Sequence, residues 1–243
     1  MTTPTHERLA QKIIDFNATL TELESFNMNL LMSVSVGGIA PYGTMPTGGV
    51  RGDAWEAGLR VLSHMHPGGL RYHGPAPILT AELLRGLQAE AEEQEKIAHR
   101  TGVQELSPGG PVAVAFSSAP EVLDFVSEAV GHRVFPTEIG SYLFYNQTGD
   151  YLYPHVDTEV FAVNLIVMLK HDLPEGTPLD DGSSLLVWEA GNGERRVPLA
   201  VGEVAVLLAS GTVHGREAIG EGEKVTIVTV GFQYTGVDVE GGE

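Results

Sequence analysis

YLYPHVDTEVFAVNLIVML, residues 151–169, is the stretch whose reading decides the fold. Its first part is a short run bounded by the turn signal Thr-Gly-Asp and ending in His155-Val156-Asp157. Side chains at i and i+2 of a strand share a face, so His155 and Asp157 can meet one metal ion. Its second part, Phe161 to Leu169, is an apolar run of strand length with Asn164 as the polar exception. That asparagine either faces outward or serves as a donor inside a pocket.

Outward from this stretch, short strands are expected at 134–145, 151–156, 160–169, 183–189, 195–198, 203–208, 211–216 and 224–234. Turn signals such as Pro-Glu-Gly and Gly-Asn-Gly separate them. Strands at this spacing predict a sandwich or barrel, the jelly roll being one form. Upstream the pattern is helical. Residues 6–24 place Leu9, Ile13, Phe16, Leu20 and Leu23 on one face. Thr80 is the expected cap of a helix through Leu83, Leu87 and Ala91 to about Arg100. Ser118 and Pro120 open a third helix, which Gly131 stops. Residues 33–78 are rich in Gly and Pro but also hold Tyr42, Trp55 and Tyr72, which suits a loop-rich wall over a site. The fold class expected is α+β, mainly β, in one domain over 1–243. A helical and loop-rich part (1–133) precedes a β core (134–235), and 236–243 read as a disordered tail.

Composition excludes several functions. With 42% hydrophobic residues in 243, one sizeable core can form. No apolar run approaches the ~18 residues that span a bilayer. The start lacks the basic-then-apolar layout of a signal peptide, so a soluble cytoplasmic protein is the expectation. The absence of cysteine removes disulfides, zinc-thiolate sites and thiol nucleophiles. A formal net charge of -18 argues against nucleic-acid and anionic-membrane partners, which are bound through clustered Lys and Arg. Oligomeric state is unreadable.

His214 lies 59 positions beyond His155 on another expected strand. Two histidines and a carboxylate on one face leave three octahedral positions open, the facial triad of non-haem iron(II) oxygenases. Lys224 and Thr226 follow on a shared face of an otherwise apolar strand. An inward lysine is costly unless it meets an anion. Alternation leaves its direction open, because the opposite set, Val225, Ile227 and Thr229, is at least as apolar.

These elements together resemble the Fe(II)/2-oxoglutarate-dependent dioxygenase superfamily, its prolyl-hydroxylase-like branch in particular. The resemblance runs over 138–234 and rests on five pieces in order. They are Tyr145-Asn-Gln-Thr-Gly149, His155-Val-Asp157, the Gly182 to Trp188 strand, the run from Val197 into His214-Gly215, and Lys224-Val-Thr226. The resemblance implies a double-stranded β-helix core with the N-terminal helices packed on it. It implies iron(II) on His155, Asp157 and His214, and a salt bridge from Lys224 to the distal carboxylate of the cosubstrate 2-oxoglutarate. Thr226 and Tyr145 would assist by hydrogen bonding. Many members carry Arg where this chain has Lys224; a lysine supplies a point charge in place of a bidentate fork. Arg216 is the rival anchor, two residues past His214. Dioxygen would be consumed, with succinate and carbon dioxide as co-products. The retained Asp157 favours hydroxylation over halogenation, with desaturation, epoxidation or ring formation as variants, on a small-molecule substrate. The competing readings are a cupin-type metal enzyme that does not use 2-oxoglutarate and a non-catalytic binding module.

His64, His66 and His73 read as loop, and His132 and His171 as solvent-facing ends of elements. Trp188 and Phe232 are expected in the core.

Overall fold

Two antiparallel sheets face one another. The computed structural model describes residues 5–21, 24–25, 57–58, 61, 69–101, 103–189 and 193–234. The large sheet runs β1 (Leu70–Pro75), β9 (Glu203–Leu207), β6 (Val163–Asp172), β11 (Lys224–Tyr234), β4 (Val134–Tyr145), β3 (Glu105–Pro108) and β2 (His99–Arg100). The small sheet runs β5 (Leu152–His155), β10 (His214–Arg216), β7 (Leu185–Glu189) and β8 (Gly193–Val197). Neighbours in each sheet are mostly non-consecutive in sequence, which is the crossover pattern of a double-stranded β-helix.

The large sheet is covered on both faces, and the period of two assigns each residue to one cover. In β6, Val163, Leu165, Val167 and Leu169 join one apolar cluster with the helices, while Ile166 and Met168 join the cluster between the sheets. In β11, Val228, Val230 and Phe232 face the helices, and Val225 and Ile227 face the barrel interior. Burying each such aliphatic side chain contributes about 1.5–3 kcal/mol.

Three helices cover the outer face. They are α2 (Ala81–Glu95), α3 (Pro111–Ser118) and α4 (Pro120–Val130), and they bring Leu87, Phe116 and Val126 onto the sheet. The hydroxyl of Thr80 accepts from the Leu83 amide, capping α2 as expected. That helix ends at Glu95, and the chain then forms the short strand β2 instead of continuing to Arg100. In α4, Gly131 takes the left-handed conformation (φ 77°), a geometry that glycine adopts without steric cost. The first helix, α1 (Thr5–Asn17), is shorter than its periodicity suggests. Leu9 and Phe16 are each 56% exposed, while Ala10 and Asn17 are buried.

Other expectations shift in detail. Residues 70–75, expected within the loop-rich wall, form edge strand β1, paired with β9. Tyr42, Trp55, His64, His66, Leu23 and the 236–243 tail lie outside the described residues. Phe232 is fully buried, as expected, whereas Trp188 is only half-buried and joins neither core cluster. His171 is a clear correction: it is buried against Glu223 instead of facing solvent. His132 is half-buried and His73 exposed. Among the described residues no helix is long and apolar enough to cross a membrane.

Candidate metal centre

Two cross-strand neighbours open the site. In the register of β5 and β10, His155 stands directly opposite His214, and their ring centroids are 4.4 Å apart. Asp157 follows just past the end of β5, where its amide donates to the carbonyl of Ala209 at 2.9 Å. The chain then makes a 3-10 turn, Glu159–Phe161, which crosses the inner face of the large sheet at Gly231. A Cβ at Gly231 would stand 2.2 Å from the Val160 carbonyl oxygen, so only glycine admits this crossing.

One potential ligand atom from each of His155, Asp157 and His214 lies within 4.8 Å of the others. Asp157 Oδ1 is 3.2 Å from His155 Nε2, and Oδ2 is 3.6 Å from His214 Nε2. Ligands about 2.1 Å from one ion at right angles stand about 3 Å apart, so the spacing suits a single metal.

The tautomers are set by the backbone. Nδ1 of His155 lies 3.0 Å from the Tyr153 carbonyl, and Nδ1 of His214 lies 2.9 Å from the Thr212 carbonyl. A carbonyl can only accept, so each Nδ1 carries a hydrogen, which leaves each Nε2 as the atom able to ligate a metal. Asn164 Nδ2 donates to Asp157 Oδ2 at 2.9 Å. The polar exception in β6 is therefore a pocket donor.

Electrostatics differ between the two rings. Burial disfavours the charged form of His155, but Asp157 and the Tyr153 carbonyl outweigh it and raise its pKa above the ordinary histidine value. Burial dominates at His214 and pushes it down to about 4, despite Asp157. Asp157 is held below the usual carboxylate range; the two histidines and Asn164 prevail over burial.

The triad lines a cavity of about 160 Å³ between the sheets, open to solvent, with Tyr145, Ile227 and Arg216 among its walls. Here the structure separates the two candidate anchors. Lys224 is exposed at the start of β11, and Thr226 faces α2 on the far side of the sheet with Gln88 and Ala91. They share a face, as expected, but it is the helix face, so neither reaches the cavity. Val225, Ile227 and Thr229 are the inward set.

Arg216, by contrast, is 4% exposed and points into the cavity, two residues along β10 from His214. Among the described residues no carboxylate oxygen comes within ion-pair distance of it. Its Nη2 donates to Ser183, to the carbonyl at 3.1 Å and the hydroxyl at 3.3 Å, while its Nε has no partner. Burial pushes its pKa down, opposed by Tyr145, Glu223 and Glu217. The guanidinium sits 5.4 Å over the ring of Tyr145, whose fully buried hydroxyl is also without a partner. Burial drives that hydroxyl's pKa well above the ordinary tyrosine value, so it remains a donor. Ser183 and Glu223 escape sequence reasoning, since nothing local to either residue ties it to His214.

The fold is a double-stranded β-helix, and inside it two histidines and a carboxylate stand where they could hold one metal ion. No family model matches the sequence, and no curated protein does. Solved structures are similar to it. The non-heme α-ketoglutarate-dependent epimerase SnoN from nogalamycin biosynthesis has a TM-score of 0.55 at 16% identity, covering 70% of this chain and 86% of that one. A prolyl-4-hydroxylase from Pseudomonas putida gives 0.50 at 18% identity, covering 68% and 92%. HygX from Streptomyces hygroscopicus, solved with nickel, 2-oxoglutarate and hygromycin B, gives 0.52 at 14% identity, covering 67% and 82%. At these identities the likeness establishes the fold.

Proposed function

We propose that this chain is a non-haem iron(II), 2-oxoglutarate-dependent oxygenase that hydroxylates, or otherwise oxidises, a small molecule. The observation that carries the proposal is Arg216: a buried guanidinium without a counter-ion, aimed into the cavity that holds the triad. A charge left unpaired away from water is costly, and an anionic ligand removes that cost. The 2-oxoglutarate dianion would suit both ends, its keto-acid group at the metal and its distal carboxylate at Arg216 and the Tyr145 hydroxyl.

His155, Asp157 and His214 would hold the iron, a donor set suited to that ion. With dioxygen and 2-oxoglutarate bound, the iron supplies oxidative decarboxylation to succinate and carbon dioxide and an oxidant for a substrate C–H bond. The chain's own work is positional. The Tyr153 and Thr212 carbonyls fix the imidazole tautomers, and Asn164 fixes the carboxylate. Leu185, Leu199 and Ile227 give the cavity apolar walls. Structures of similar fold have been solved with nogalamycin RO and with hygromycin B, which supports a small-molecule substrate here.

The test is spectroscopic. Anaerobic addition of iron(II) and 2-oxoglutarate should produce the visible charge-transfer band of the chelate, and His214→Ala should abolish it. A silent wild-type protein, or a band that survives the substitution, would overturn the proposal and return a cupin-like or non-catalytic reading.

A further inference from the structure

We propose that Glu223, acting through Ser183, is a positioning residue for Arg216 and sets the preference for a keto acid that carries a second carboxylate. The inference rests on the proposed function and deepens it, because it concerns the far end of the cosubstrate, away from the metal.

The argument starts at the Ser183 hydroxyl. A hydroxyl has one proton, and that of Ser183 goes to Glu223 Oε1 at 2.7 Å. Its lone pairs are thereby turned toward Arg216 Nη2. The same carboxylate oxygen accepts the Ser183 amide at 2.8 Å, so Glu223 grips both the backbone and the side chain of the residue that orients the guanidinium. Ser183 answers with both of its oxygens, carbonyl and hydroxyl, on one guanidinium nitrogen.

Glu223 is close enough to support the charge of Arg216 but is committed elsewhere. Oε1 also accepts from His171 Nε2 at 2.8 Å, and Oε2 accepts the Gly220 amide at 2.8 Å. With four donors on its two oxygens, the carboxylate makes no direct ion pair with the guanidinium. A direct pair would neutralise Arg216 and remove its use for a ligand; an indirect one through Ser183 holds its direction and leaves its charge available. His171 completes the arrangement as a buried donor to Glu223, its side chain 1% exposed.

The segment carrying Ser183 has other fasteners. Arg196 donates to the Asp180 and Gly182 carbonyls, each at 2.9 Å, and is ion-paired with Glu217. Glu217 Oε2 in turn accepts the Ser184 amide at 2.9 Å. Loss of the Glu223 carboxylate therefore leaves residues 180–184 tied in place. What it removes is the aim of Ser183 at Arg216.

The experiment compares two keto acids with the same metal-binding head. One is 2-oxoglutarate; the other is 2-oxopentanoate, which lacks the distal carboxylate. Dissociation constants are read anaerobically from the charge-transfer band of the iron(II)-loaded protein. Glu223→Gln should weaken 2-oxoglutarate about tenfold, the scale of outer-layer hydrogen-bonding partners, and leave 2-oxopentanoate within about twofold. Ser183→Ala, which retains the backbone carbonyl contact, should weaken 2-oxoglutarate about threefold with the same selectivity. Parallel weakening of both keto acids marks a merely structural role and overturns the inference, as does no change in either. If circular dichroism shows Glu223→Gln unfolded, Ser183→Ala decides the matter by the same criterion. A wild-type protein with no band fails at the proposed function itself, a different outcome from a wild-type band with unselective variants.

Discussion

The two faces of the large sheet use the same strands for opposite ends. Toward α2, α3 and α4, β6 and β11 present Val163, Leu165, Val228 and Val230, packed with Leu87, Phe116 and Val126. Toward the small sheet the same strands present Asn164 beside Ile166, and Thr229 beside Ile227. On that side the Tyr145 hydroxyl, the Asn164 carbonyl and Arg216 Nε are buried without partners. The helix face is mainly apolar contact, whereas the barrel face gathers three unsatisfied polar atoms around one cavity, which is how a ligand site differs from a core. Substitutions should therefore separate by face, the helix side changing stability and the barrel side changing binding.

The largest expected effect tests the helix side. Leu87→Ala, at a fully buried position, should cost about 2–5 kcal/mol in denaturant unfolding. Its iron and 2-oxoglutarate affinities at a temperature where it stays folded should match wild type. Arg216→Met comes next and sharpens the contrast. It should weaken 2-oxoglutarate about a hundredfold, or about 2.7 kcal/mol, in the anaerobic titration. The ligand-free protein should be as stable as wild type or more so, because an apolar side chain replaces a buried unpaired charge. A marked loss of apo stability would show that Arg216 is structural. Asn164→Ala, which frees Asp157 Oδ2, should lower iron affinity about tenfold by competition with a chelator, with 2-oxopentanoate binding to the loaded protein little changed. The smallest effect is at Lys224→Ala, where both stability and 2-oxoglutarate affinity should stay within about twofold, the behaviour of an exposed surface residue.

Lys224 also shows where sequence reading loses its grip. Alternation assigns faces when one face is wet. In β11 both faces are buried, so Val225, Ile227 and Thr229 look no different from Thr226, Val228 and Val230. Family-like spacing then favoured Lys224, although the partner cover of the strand decides the matter, and that is a tertiary fact. The His155–Asp157 pair was legible because its information is local, two residues in one extended segment, whereas His214, 59 positions on, came from the order of motifs. Asn164 was visible as an exception, but its direction had to come from β6 packing. The contact between His171 and Glu223 spans 52 positions and leaves no local trace. Helix α3 escaped because PVAVAFSS alternates like a strand; Pro111 at its first turn was the available signal.

The pairing of β5 with β10 has a consequence for how a metal ion would reach the triad. The two histidines that face each other there are 59 positions apart, with β6 to β9 between them. Contacts of such long sequence separation form slowly, since loop closure must precede any gain from them. The unfolded chain therefore contains no preformed triad, and the ion cannot serve as a nucleus around which the chain collapses. Under the proposed function, iron would enter after the sheets have closed, as a ligand of the finished fold. Its contribution to stability would then follow mass action, rising with free metal concentration and vanishing under a chelator.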